Sequence, residues 1–286
     1  MIISRLGILT DEVSDDFTEA LEWCSKRGLK HVEIRSVNGT NVLDLPPAEV
    51  ARVSGEIRRR GFSVSALATP LFKCALDPSR KTVPGDLFGA KEEGLEAHFA
   101  RLPAAFRTAR EMGTNRLRIF SFWREAEPRK YLPEVSRHLQ RAAEAAERAG
   151  FELLLENENA CNGGYADEVA EIVERVESPA LRVLWDPGNE TYGGRVAFPD
   201  GYARVMDLLA HVHLKDAVVE GGKPRCVPIG SGRTDFRGQI QALERNGYGG
   251  VYTIETRYTP EGGTPLQGTE LTFQGLEKIL READLL

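Results

Sequence analysis

The 286-residue sequence predicts an α/β chain closed into a (β/α)8 TIM barrel. Eight short apolar or β-branched runs alternate with longer amphipathic stretches, and most runs start about thirty residues after the one before. Several of the amphipathic stretches end in glycine just ahead of the next run, where a left-handed residue closes a helix. Alternation of this kind implies right-handed βαβ units and a parallel sheet, and eight units suggest closure. An open doubly wound sheet is the other architecture that the alternation allows.

In order, the first run is IISRLGIL (2–9), followed by the helical pattern DFTEALEWCSKRG. HVEIRS (31–36) leads into PPAEVARVSGEIRRRG, and FSVSALAT (62–69) is the third strand. A break in the spacing follows: residues 70–94, PLFKCALDPSRKTVPGDLFGAKEEG, precede the third helical pattern, LEAHFARLPAAFRTAREMG. A loop of that size after a strand's C-terminal end is expected to be a lid or binding loop, because barrel sites are built there. RLRIFSFW (116–123) and FELLLENE (151–158) come next, with YLPEVSRHLQRAAEAAERAG between them and ADEVAEIVERV after them. The last three strands are LRVLWDP (181–187), HVHLKDA (211–217) and GVYTIETRY (250–258), with GYARVMDLLA, DFRGQIQALERNG and TELTFQGLEKILREADL as their helices. No repeat beyond the βα unit and no second domain is evident, so residues 1–286 are expected to form one barrel domain.

A hydrophobic content of 41%, a charged content of 28% and a net charge of −6 describe a soluble globular chain without the basic footprint of a nucleic-acid or anionic-membrane binder. Cys24, Cys74, Cys161 and Cys226 are scattered without a framework spacing, which suits a reducing cytoplasm. The opening residues reach Asp11 and Glu12 too soon for a secretory signal, and no apolar run approaches a membrane span.

Charge collects at the ends of the last four strands. LLLENE carries Glu156 and Glu158, VLWDPGNE carries Asp186 and Asn189, HVHLKD carries His213, and YTIETRY carries Glu255. In a barrel these ends converge on one space, and three carboxylates beside an imidazole there need a cation. Oxygen-rich ligands with one nitrogen suit Mn²⁺ first, then Mg²⁺ or Co²⁺, with Zn²⁺ less well matched. Each residue also has a structural reading: a surface carboxylate, a helix cap, or, for Glu33, a partner of Arg35 or Arg118 inside the barrel.

The succession LLLEN, VLWDPGN, HVHLKD with a later VPIGSG, and YTIE resembles the sugar phosphate isomerase/epimerase superfamily, the xylose isomerase-like TIM barrels. The resemblance spans nearly the whole chain and implies metal ligands at Glu156, Asp186, His213 and Glu255. His211, two residues deeper, is then a supporting histidine. Asn189 stands where the family often has histidine, and an amide cannot act as an acid or base near neutral pH. That departure weakens a match to the ketose 3-epimerases and to the DNA-repair branch.

The resemblance implies a divalent-metal-dependent isomerase or epimerase acting on a sugar, keto-sugar or cyclitol, with Glu156 and Glu255 moving a proton beside a carbonyl through a metal-stabilised enediolate. An inosose- or dehydroshikimate-type dehydratase and a non-catalytic sugar-binding barrel are the alternatives. Asn189, Lys215, Arg225, Glu158 and Trp123 are the expected substrate contacts, and GSG (230–232) offers at most a weak phosphate cradle. A small carbohydrate or cyclitol is the expected partner, and the sequence leaves the oligomeric state open, a homo-oligomer being one option because members of the family often associate.

Overall fold

A computed structural model describes residues 2–286. Its barrel strands are β1 (Leu6–Leu9), β2 (His31–Ile34), β3 (Ser63–Leu67), β4 (Arg116–Ile119), β5 (Glu152–Glu156), β6 (Leu181–Trp185), β7 (Leu209–Leu214) and β8 (Tyr252–Ile254). All neighbours pair in parallel, and β8 hydrogen-bonds β1, so the sheet closes. Closure rules out the open doubly wound alternative.

The main surrounding helices are α1 (Phe17–Lys26), α2 (Pro47–Arg59), α3 (Leu95–Glu111), α4 (Leu132–Ala149) and α5 (Ala166–Val176). They are followed by α6 (Pro187–Tyr192), α7 (Tyr202–Val205), α8 (Phe236–Arg245) and α9 (Pro265–Glu282). After β6 the helical segment is divided: proline-started α6 and one-turn α7 replace the single helix expected over 201–210. The seventh strand is also shorter than its sequence pattern. It stops at Leu214, and Asp216–Glu220 folds into an antiparallel hairpin with Lys223–Val227 that the periodicity did not announce.

Side-chain alternation sets the site. Leu153 and Leu155 of β5 join the large core beneath the helices, whereas Leu154 packs in a separate small cluster with Ala66, Leu184 and Ala210. Two residues beyond Leu154 and Leu184, on the same faces, stand Glu156 and Asp186. On β7 and β8 the outward set is Val212, Leu214, Tyr252 and Ile254, leaving His211, His213, Thr253 and Glu255 for the interior. By the same rule Val32 and Ile34 on β2, and Leu117 and Ile119 on β4, turn Glu33 and Arg118 inward. Among the described residues no helix is long and apolar enough to cross a membrane.

Candidate functional site

Ligand atoms of Glu156, Asp186, His213 and Glu255 all lie within 4.8 Å of one another, and all four residues are buried. Nδ1 of His213 sits 3.3 Å from Glu255 Oε2 and 3.7 Å from Glu156 Oε1. His213 Nδ1, Glu156 Oε2 and Asp186 Oδ2 are buried atoms that make no hydrogen bond of good geometry among the described residues, although Arg118 lies 3.2 Å from Glu156 Oε2 and the Lys215 ammonium 2.6 Å from Asp186 Oδ2. Buried ligand-type atoms that converge without satisfying one another fit a cation. The donor set, three hard oxygens and one imidazole nitrogen, is one that Mg²⁺ or Mn²⁺ accepts.

Neighbouring groups hold this set in place. Glu33 joins both histidines, with Oε2 at 2.8 Å from His211 Nε2 and Oε1 at 3.0 Å from His213 Nε2. Burial pushes the Glu33 carboxyl up, but the two imidazoles outweigh it and hold the pKa well below the ordinary range. Glu33 therefore pairs with His211 and His213 rather than with Arg35 or Arg118, because closure brings β7 opposite it. Arg35 instead reaches Glu255 at 3.1 Å as well as Asp11 and Glu12, and Arg118 lies 3.2 Å from Glu156. Asn157 clamps Asp186 from both sides of its peptide, accepting its N–H at 2.7 Å and donating to its carbonyl at 2.9 Å.

Burial opposes ionisation throughout, yet Lys215 and His213 keep Glu255 well below its usual pKa, and Arg118 with His213 lowers Glu156. Asp186 goes the other way: burial dominates, and the pull of Lys215 leaves it pushed up to about 6. The Lys215 ammonium lies 2.6 Å from Asp186 and 3.4 Å from Glu255, so its partner is not the adjacent Asp216. Asp216 accepts the backbone N–H groups of Ala217, Gly230, Gly232 and Thr234. Two of the GSG amides thus serve an internal carboxylate instead of a phosphate.

Above these groups opens a cavity of about 520 Å³. Glu158, Asn189, Lys215 and Arg225 are on its wall, with Glu255 at its floor. Asn189 donates to the Asn157 carbonyl at 2.7 Å and lies 3.5 Å from Glu156. Arg225 is exposed on the hairpin and pairs with Glu220. Trp123 lies behind the wall, fully buried, packed with Phe120 and Cys161, and donates its indole N–H to Glu92 of the 70–94 loop. That loop supplies Lys73, Asp86 and Phe88 to the cavity, three residues with no periodic pattern to mark them. Arg35, Arg118 and Asn157 also escaped the strand-end reading. For Arg35 and Arg118 the signal, a polar residue in register with inward strand positions, was present but had no partner in the linear sequence.

A closed parallel barrel with an acidic, histidine-containing cluster at its strand ends defines the class. The family model for the xylose isomerase-like TIM barrel matches residues 21–282, and the chain belongs to that family. No curated protein matches the sequence. Several solved structures share the fold. A xylose isomerase-like TIM barrel protein from Mycobacterium smegmatis in complex with magnesium is 16% identical with a TM-score of 0.65, covering 92% of this chain and 89% of that one. The 3-keto-D-glucoside 4-epimerase YcjR from E. coli is 16% identical with a TM-score of 0.69, over 96% and 98% of the two chains. The probable 3-DHS dehydratase AsbF from Bacillus anthracis is 14% identical with a TM-score of 0.71, over 94% and 98%.

Proposed function

We propose that the protein is a divalent-metal-dependent isomerase or epimerase of a hydroxy-ketone sugar or cyclitol. The observation that carries this is the convergence of one ligand atom each from His213, Glu156, Asp186 and Glu255 within 4.8 Å, all four residues buried. Glu156, Asp186, His213 and Glu255 would hold the ion, with Mn²⁺ or Mg²⁺ suited to the donor set. When bound, such an ion supplies Lewis-acid stabilisation of the negative charge that develops on substrate oxygens.

The chain's own groups do the rest. Glu156 and Glu255 remove and return the proton beside the carbonyl, and both are held ionised by adjoining cations. Arg118 and Arg35 fix the orientation of those carboxylates, so little reorganisation is needed as the proton moves. Asn189, whose amide N–H groups are taken by Asn157 and Glu156, and Glu158 offer acceptor oxygens to substrate hydroxyls from the wall. Phe88 and the 70–94 loop narrow the mouth and limit water. The likeness to an epimerase fold agrees with this chemistry. The probable dehydratase of the same fold keeps a second reading alive, in which the same carboxylates expel a β-hydroxyl.

The experiment is solvent exchange. Protein stripped of metal and restored with Mn²⁺ or Mg²⁺ is incubated in heavy water with ketoses and inososes. Metal-dependent deuterium entry into the carbon skeleton is expected, whereas a rising ultraviolet absorbance would assign the dehydratase. No exchange and no unsaturated product across the panel would overturn both.

A further inference from the structure

We infer that the cavity selects an uncharged polyhydroxylated ketone and discriminates against phosphate esters and carboxylic acids, an inference that rests on the sugar-directed reading above. The cationic side chains on the wall are Lys73, Lys215, Arg225 and Arg257, and each already has a carboxylate partner. Lys73 lies 3.7 Å from Glu158, Lys215 2.6 Å from Asp186, Arg225 3.0 Å from Glu220 and Arg257 2.9 Å from Asp86. Glu158, Asp86 and Glu255 line the same wall, so a substrate anion would meet carboxylates as well as cations. An ion at the floor does not change this balance. The four charges of Glu33, Glu156, Asp186 and Glu255 are matched by one divalent ion together with Lys215 and Arg118, and Arg35 is matched by Asp11 and Glu12.

Lys73 is the decisive residue. It is 1% exposed, and its ammonium faces the rings of Phe88 at 4.2 Å, Phe120 at 4.5 Å and Trp123 at 5.9 Å. Aromatic faces stabilise the ammonium but accept no conventional hydrogen bond from it. Among the described residues its only carboxylate is Glu158, at ion-pair rather than hydrogen-bond distance. A buried donor beside a half-buried acceptor, too far apart to hydrogen-bond each other, is the complement of a hydroxyl group, which donates to one and accepts from the other. An anion in that position would gain Lys73 but face Glu158, and like-charge juxtaposition in a partly desolvated site costs several kcal/mol.

The test is calorimetric binding to the full chain loaded with Mg²⁺, using matched probes: fructose against fructose 6-phosphate, and scyllo-inosose against 3-dehydroshikimate. The uncharged member of each pair is expected to bind at least about tenfold more tightly. Glu158→Gln leaves Lys73 without its counter-charge and is expected to gain about tenfold for the phosphate and the acid. Lys73→Met, a second variant that reverses the imbalance, is expected to weaken those two ligands further. Tighter binding of the charged members by the wild-type protein, or no binding by any of the four, would overturn the inference. Because the readout is affinity, an intact preference without solvent exchange would sink the catalytic reading alone. Exchange restricted to charged substrates would sink this one alone.

Discussion

Glu33 Oε1 lies 3.0 Å from His213 Nε2, and the carboxylate, held ionised, has no proton to give. His213 must therefore donate from Nε2, which leaves Nδ1 directed at Glu156 and Glu255. A carboxylate that fixes the tautomer of a ligand histidine raises metal affinity. Glu33→Gln, which can offer an oxygen to only one of the two histidines, is expected to weaken Mn²⁺ binding about 10- to 100-fold by titration calorimetry. Unchanged affinity would remove this role from Glu33.

Glu156→Gln and Glu255→Gln, each assayed at saturating metal, are expected to lose about 10²- to 10⁴-fold in turnover while keeping the wild-type circular dichroism spectrum. The interior of the barrel is already polar at both positions, so an isosteric amide preserves packing. Wild-type rates in both variants would sink the assignment of proton transfer to this pair.

Glu190 gives the fold a pH dependence separate from catalysis. It is 2% exposed, accepts the Ala166 N–H and the Asn157 amide, and burial pushes its pKa up from 4.5 to about 7. The folded state then keeps a proton that the unfolded chain releases, so this group destabilises the fold progressively as pH rises from about 4.5 to about 7. Across that window the wild-type protein should lose up to about 3 kcal/mol relative to Glu190→Gln. Urea unfolding of both proteins at pH 5 and pH 8 measures the difference, and a constant gap between them would contradict it.

Asp216 ties the end of β7 to the loop leading into α8. Four backbone N–H groups converge on its carboxylate, and a Cβ at Gly232 would collide with it. Asp216→Ala strands those donors and is expected to cost about 2–4 kcal/mol in urea unfolding. Limited proteolysis should open near residues 228–235 at the same time, and resistance there equal to wild type would argue against the tie.

The closed barrel was legible because eight short apolar runs alternate with amphipathic stretches at a spacing of about thirty residues, and charge follows the apolar run on each of the last four strands. Glu156, Asp186, His213 and Glu255 stand out in the same reading as the polar residues at those strand ends. What surrounds them does not. Arg35 meets Glu255 only because β8 closes onto β1, which pairs with β2, and their sequence separation is 220 residues. Glu33 looked like a partner for a nearby arginine, and the histidines that hold it come from the opposite side of the barrel. The hairpin after β7 was hidden because its strands, half exposed and interrupted by Pro224, lack the strict apolar alternation of the barrel strands. Lys73 sits in a loop, where no periodicity distinguishes a buried charge from a solvated one.

Trp123 lends the molecule an optical property. Its ring is sealed against Phe120 and Cys161 while its indole N–H is donated to Glu92 at 2.9 Å, and Lys73's ammonium sits over its face. The other two tryptophans lie elsewhere, Trp23 in α1 and Trp185 at the end of β6. Emission from Trp123 is therefore expected to report on the seating of the 70–94 loop and on the charge of Lys73 beside the cavity. A shift in that emission on adding a proposed substrate would follow binding without any label attached.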